Sequence, residues 1–122
     1  MESKRDNVVM NKSYAFALRI IKLYKYLVSD QKEFVLSKQI LRSGTSIGAL
    51  VKESEHAQSK ADFINKMNIA LKEANETEYW LMLLKDSCYI EEKSFTSIHS
   101  ENVELIKLLV SIVKSSKETL KK

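Results

Sequence analysis

The chain has 122 residues with no proline, two glycines, one cysteine and 30% charged residues, and its formal net charge is +4. A sheet protein needs many turn residues and a disulfide scaffold needs paired cysteines, so the composition excludes both and predicts an all-α chain of one domain, residues 1–122. Its apolar runs, such as Tyr79 to Leu84, are far shorter than the roughly 20 residues of a membrane span, and the opening MESKRDN lacks the apolar stretch of a signal peptide. The expected location is the cytoplasm.

Residues 1–10 read as a loose lead-in with Val8, Val9 and Met10 available for packing. The first helix is predicted over 11–28. Phe16, Ala17, Ile20, Ile21, Leu23, Tyr24, Leu27 and Val28 cover half of its circumference, while Lys12, Arg19, Lys22 and Lys25 share one arc. A polar connector follows from Ser29 to Leu36, with Phe34 and Leu36 expected to tuck under the helices. Ser37 is the expected N-cap of a second helix over 37–55, whose inner face holds Ile40, Leu41, Gly44, Ile47, Gly48 and Val51. Two glycines one turn apart each cost about 1 kcal/mol of helix propensity. The pair therefore implies either a close neighbouring backbone or a kink at Gly44.

His56 to Gln58 turn the chain into its longest helical stretch, predicted over 59–86. Ser59 with Asp62 has capping-box spacing, and Phe63, Met67, Ala70, Leu71, Ala74, Leu81 and Leu84 recur at three- and four-residue intervals. After a connection around Asp86 to Lys93, a fourth helix is predicted over 95–118. Between Val103 and Val113 it is apolar almost all round, interrupted chiefly by Lys107 and Ser111. Four helices would bury only part of that ring. The excess apolar surface on the first and fourth helices predicts contact with further copies of the chain.

Chemistry is harder to find. Glu53 and His56 have the Glu-x-x-His spacing of a di-iron bundle, but His99 lacks the matching glutamate three residues before it, so no metal or other cofactor is expected. Cys88 reads as a small buried thiol. Glu78 falls in line between Ala74 and Leu81 and is expected to be partly buried, pairing with a base such as Arg42 to fix register. An enzyme using Glu73 or Glu78 would need a water-filled pocket around them. Tyr79 and Trp80 read as core or interface, because Leu81, Leu83 and Leu84 make that end of the helix apolar.

Both ends of the chain are basic. Residues 1–28 carry six basic and two acidic groups and residues 93–122 carry six and three. Lys12, Arg19, Lys22, Lys25, Lys107, Lys114, Lys117, Lys121 and Lys122 make the candidate phosphate-contacting set, with Arg19, Lys22, Lys25, Lys107 and Lys114 at its head. Such charges position a nucleic-acid backbone without reading bases. The competing reading is a protein-interaction scaffold whose basic faces serve solubility.

The runs LSKQILRSGTSIGA (36–49) and QSKADFINKMNIALKEANETEYWLMLLKD (58–86), with FALRIIKLYKYL in the first helix, resemble the bacterial four-helix-bundle family encoded by intervening sequences in large-subunit ribosomal RNA genes. Accessory proteins of diversity-generating retroelements are similar. The resemblance implies an antiparallel up-down-up-down bundle assembled as a ring-shaped homopentamer and, for the retroelement relatives, a basic surface engaging RNA and a reverse transcriptase. It implies no catalytic residues. Where the family pattern usually has Asn-Ile and an acidic residue, this chain has Leu50, Val51, Lys52 and Glu53.

Overall fold

The computed structural model describes residues 4–121 and the side chains of residues 6–120; Lys122 and the side chain of Lys121 lie outside them. The described residues form four helices and no strand: α1 (Lys4–Ser29), α2 (Leu36–Ser54), α3 (Lys60–Asp86) and α4 (Glu92–Lys121). Each predicted helix is present, two of them longer than expected. The lead-in is helical from Lys4 because Val9 continues the stripe of Ser13, Phe16, Ile20 and Leu27 by one more turn and is fully buried.

The α1–α2 connector differs from expectation. Phe34 lies half in solvent, and the residue that turns inward is Glu33, only 9% exposed. Its carboxylate accepts from the backbone N–H of Ser37 at 2.7 Å and of Val35 at 3.3 Å, while the Ser37 hydroxyl donates to the Glu33 carbonyl at 2.8 Å. Glu33 thus caps α2 from four residues ahead, and Ser37 sits inside the helix instead of capping it. Burial pushes the Glu33 carboxyl up, but the combined hydrogen bonds from Ser37, Leu36 and Val35 outweigh it and hold the group below the ordinary carboxylate value. The loop reaches this geometry through Lys32, at φ 54°.

α2 passes through Gly44 without a break. A Cβ at Gly44 would lie 2.7 Å from the buried Ile20 side chain, and one at Gly48 would lie 3.3 Å from the Ser13 carbonyl oxygen. The close neighbouring backbone expected of the glycine pair is found at Gly48, while at Gly44 the close neighbour is a side chain and the helix is not kinked. At the start of α3 the Ser59 hydroxyl accepts from the Asp62 N–H at 3.0 Å and the Asp62 carboxylate accepts from the Gln58 N–H at 3.1 Å. α3 ends in a Schellman pattern, Cys88 N–H to Lys85 carbonyl and Tyr89 N–H to Leu84 carbonyl, with Cys88 left-handed at φ 65°. The thiol expected to be buried is exposed on this turn.

α1 packs on α2 and α4, and α3 packs on α2 and α4. One shared core runs between them, from Phe16, Ile20 and Leu27 through Ile40 and Ile47 to Met67, Leu81, Leu84, Leu105 and Leu109. Two buried polar contacts set the register across it. Thr77 donates to the Ser43 hydroxyl at 2.9 Å and the Asn102 amide donates to the Ala74 carbonyl at 3.0 Å. No described helix is long and apolar enough to cross a membrane.

Candidate nucleic-acid interface

The predicted basic arc of α1 divides in two. The face of α1 that carries Lys12 and Arg19 turns toward α4, where Lys12 meets Glu104 at 3.0 Å and Arg19 meets Glu101 at 2.5 Å. These carboxylates offset both charges locally. Lys22 and Lys25 are exposed and make no ion pair among the described residues, and the same holds for Lys107 and Lys114 on the outer side of α4.

Next to Lys22 the α1–α4 seam is incompletely filled. A cleft of about 420 Å³ opens there, lined by Arg19, Lys22, Leu23 and Tyr26 of α1, by Ile90 and Glu91 of the α3–α4 turn, and by Ser94 and Ile98 of α4. It has an apolar floor with cations along one wall. A second cleft, of about 430 Å³, lies at the opposite end of the helices and has a different character: Asp6, Glu55, Ser54, Ser59, Ser115 and Ser116 surround Met10, Val51, Phe63 and Met67. Lys60 also lines it, but the two carboxylates outnumber that one cation and disfavour a phosphate. The basic-edged cleft is therefore the better match to a nucleic-acid partner.

The remaining sequence candidates have other roles. Arg42 forms no contact with Glu78; it bridges Glu73 and Glu76 across the α2–α3 seam, and the Trp80 indole N–H donates to Glu76 at 2.9 Å. The Glu76 hydrogen bond is the main reason that the Arg42 guanidinium is held above its ordinary value. The Trp80 hydrogen bond, followed by Arg42, holds Glu76 below its own despite burial. Glu78 is partly buried as expected, but its partner is His99 of α4 at 2.8 Å, with Phe95 stacked on the imidazole. That pairing spans 21 residues between two helices, and no local spacing signals it. Neither cleft is lined by Glu73 or Glu78. Glu53 and His56 belong to no metal-holding cluster among the described residues.

Tyr26 is the functional candidate that sequence reasoning passed over. Its only signal is position, one turn after Lys22 and beside Lys25, on the arc where the apolar stripe gives way to charge.

Four packed helices with ion-paired seams and a basic-edged cleft define an all-α protein. The chain belongs to the family of 23S rRNA-intervening sequence proteins, whose family model matches residues 5–111. This bears out the resemblance carried by the α2 and α3 runs. A solved structure from Bacteroides thetaiotaomicron VPI-5482, a protein with unknown function from the S23 ribosomal protein family, is 64% identical to this chain. It covers 90% of this chain and 98% of its own, with a TM-score of 0.89. None of the curated proteins matches.

Proposed function

We propose that the protein is a non-enzymatic oligomeric binding or scaffold module of the cytoplasm, contacting RNA through the basic surface of α1 and α4. The observation that carries this reading is that Lys22, Lys25, Lys107 and Lys114 of α1 and α4 are exposed and, like Lys38, Lys72 and Lys117 elsewhere, have no carboxylate partner among the described residues, whereas Lys12 and Arg19 beside them do. Lys22, Lys25, Lys107 and Lys114 act as positioning charges on phosphates. Arg19 joins them as part of the cleft wall, its charge offset by Glu101.

The architecture proposed for this role is a single antiparallel up-down-up-down bundle domain. Contacts that run in opposite sequence directions support it: Gly44 and Gly48 against Ile20 and Ser13, and Ala74 and Glu78 against Asn102 and His99. Apolar side chains in solvent support assembly with further copies, Tyr14 at 68% and Tyr79 at 56% exposure among them, together with Leu18, Met82 and Val110. The ring-shaped pentamer and a reverse transcriptase as a further partner rest on the family resemblance. A ring repeats each lysine around an axis and so multiplies a net charge of only +4. The same exposed apolar groups support the second reading, a scaffold for protein partners that binds no nucleic acid.

The deciding experiment is binding of the nuclease-treated protein to a structured RNA across a salt series. The RNA reading expects a steep log–log slope, about 0.7 to 0.9 per neutralised phosphate. Absence of binding at low salt would move the search to protein partners.

A further inference from the structure

In the cleft beside Lys22 the floor and the rim ask for different chemistry. Leu23, Ile90 and Ile98 form an apolar bottom. Tyr26 stands at one side, 38% exposed, its hydroxyl accepting a hydrogen bond from the Gln31 side chain at 2.7 Å, which holds the ring in place. Lys22 lines the cleft and Lys25 lies one turn along α1, both without a carboxylate partner among the described residues. Ser94 and Glu91 offer a hydroxyl and a carboxylate at the head of α4. A ligand that suits all three features is flat, largely apolar on its faces, polar at its edge and attached to a negative charge. The volume of about 420 Å³ falls within the range of small-molecule sites, roughly 300 to 1,000 Å³.

We infer that this cleft receives one unpaired base of an RNA loop, laid on Leu23, Ile90 and Ile98 against the Tyr26 ring, with its phosphate at Lys22. The inference rests on the RNA reading above and adds what that reading lacks, a preference for single-stranded over paired RNA. In a duplex the base faces are covered by their neighbours and only phosphates are presented, so a duplex engages the lysines and leaves the cleft empty. A loop presents both. Stacking on an aromatic side chain accepts any base, so the site selects unpaired structure with little regard to sequence. Ser94 and Glu91 can add contacts to an edge that carries an amino group.

The test compares, by fluorescence anisotropy, a hairpin RNA carrying 2-aminopurine in its loop with a blunt duplex of equal phosphate count. The wild-type chain is expected to bind the hairpin about tenfold more tightly, the size expected of one stacked base, and to change the 2-aminopurine emission. Tyr26→Ala is expected to remove that advantage and leave duplex binding unchanged, while Tyr26→Phe keeps it. Ser94→Trp, which fills the cleft from the opposite wall, tests the site independently of Tyr26 and is expected to act like Tyr26→Ala. Equal affinity of wild type for both RNAs, or an equal loss on both with Tyr26→Ala, would overturn the base site and leave the phosphate surface standing. No binding of either RNA would overturn the RNA reading itself. Competition by an acidic peptide containing tyrosine, without any loop preference, would reassign the cleft to a protein partner.

Discussion

The two sides of α2 and the α1–α4 seam are built on different terms. Against α1, α2 comes so close that Gly44 has no room for a Cβ; against α3, Ser43 meets Thr77 inside while Arg42 ties Glu73 and Glu76 outside. Each polar group named there has a partner within the chain. The α1–α4 seam begins in the same way, with Lys12 on Glu104 and Arg19 on Glu101, and then opens into a cleft beside lysines that form no ion pair among the described residues. Where polar groups satisfy each other a seam fixes register, and where they do not, the proposed function places binding.

The strongest way to break this comparison is to overfill the tight side. Gly44→Val is expected to destabilise the chain by about 1–3 kcal/mol through overpacking against Ile20, read as a lower urea midpoint. Ile20→Ala in the same chain then recovers part of the loss, and an unchanged midpoint for Gly44→Val alone would show that the seam is not tight.

Glu33 belongs to the tight side too, since it caps α2. Glu33→Gln is expected to cost about 1 kcal/mol. Because the folded carboxyl titrates below its ordinary value of 4.5, its stabilising effect is complete above that pH. The effect is lost as pH falls through the lowered folded value. Urea midpoints measured from pH 7 down to pH 3 will show the wild type losing its advantage over Glu33→Gln in that acid window; a constant difference would remove the carboxylate from the cap.

At the turn beside the open cleft the expected sign reverses. Cys88 occupies a left-handed position that favours glycine, so Cys88→Gly is expected to raise stability by about 0.5–1 kcal/mol. A lower melting temperature would mean that the thiol makes a contact worth more than the strain. The smallest effect is expected at the surface. Arg42→Gln removes a half-exposed ion pair and is expected to cost between about 0.2 and 1 kcal/mol, with a double-mutant cycle against Glu76→Gln isolating the pair.

Much of the fold was legible before any coordinates. Three- and four-residue spacing marked all four helices, Ser59 marked the start of α3, and the glycine pair marked the close approach of α1. Less was legible wherever the answer depended on how one helix is turned toward another. The arc of Lys12, Arg19, Lys22 and Lys25 looked uniform on a single wheel, and only the rotation of α1 against Glu101 and Glu104 splits it. The Glu33 cap needed the left-handed Lys32, and the exposure of Cys88 needed the Schellman turn. The cleft was illegible because Leu23 and Ile98 look like ordinary core residues until the seam between them fails to close.

The central claim is that unpaired lysines bind phosphate while paired cations hold helices together. Its most direct test is the salt dependence of RNA binding for two double variants, Lys22→Gln with Lys25→Gln and Lys12→Gln with Arg19→Gln. The account predicts that the first lowers the log–log slope by about 1.4 to 1.8, two phosphate contacts' worth, and that the second lowers it far less. Equal slopes for the two variants, or a larger loss for the Lys12 and Arg19 pair, would contradict it.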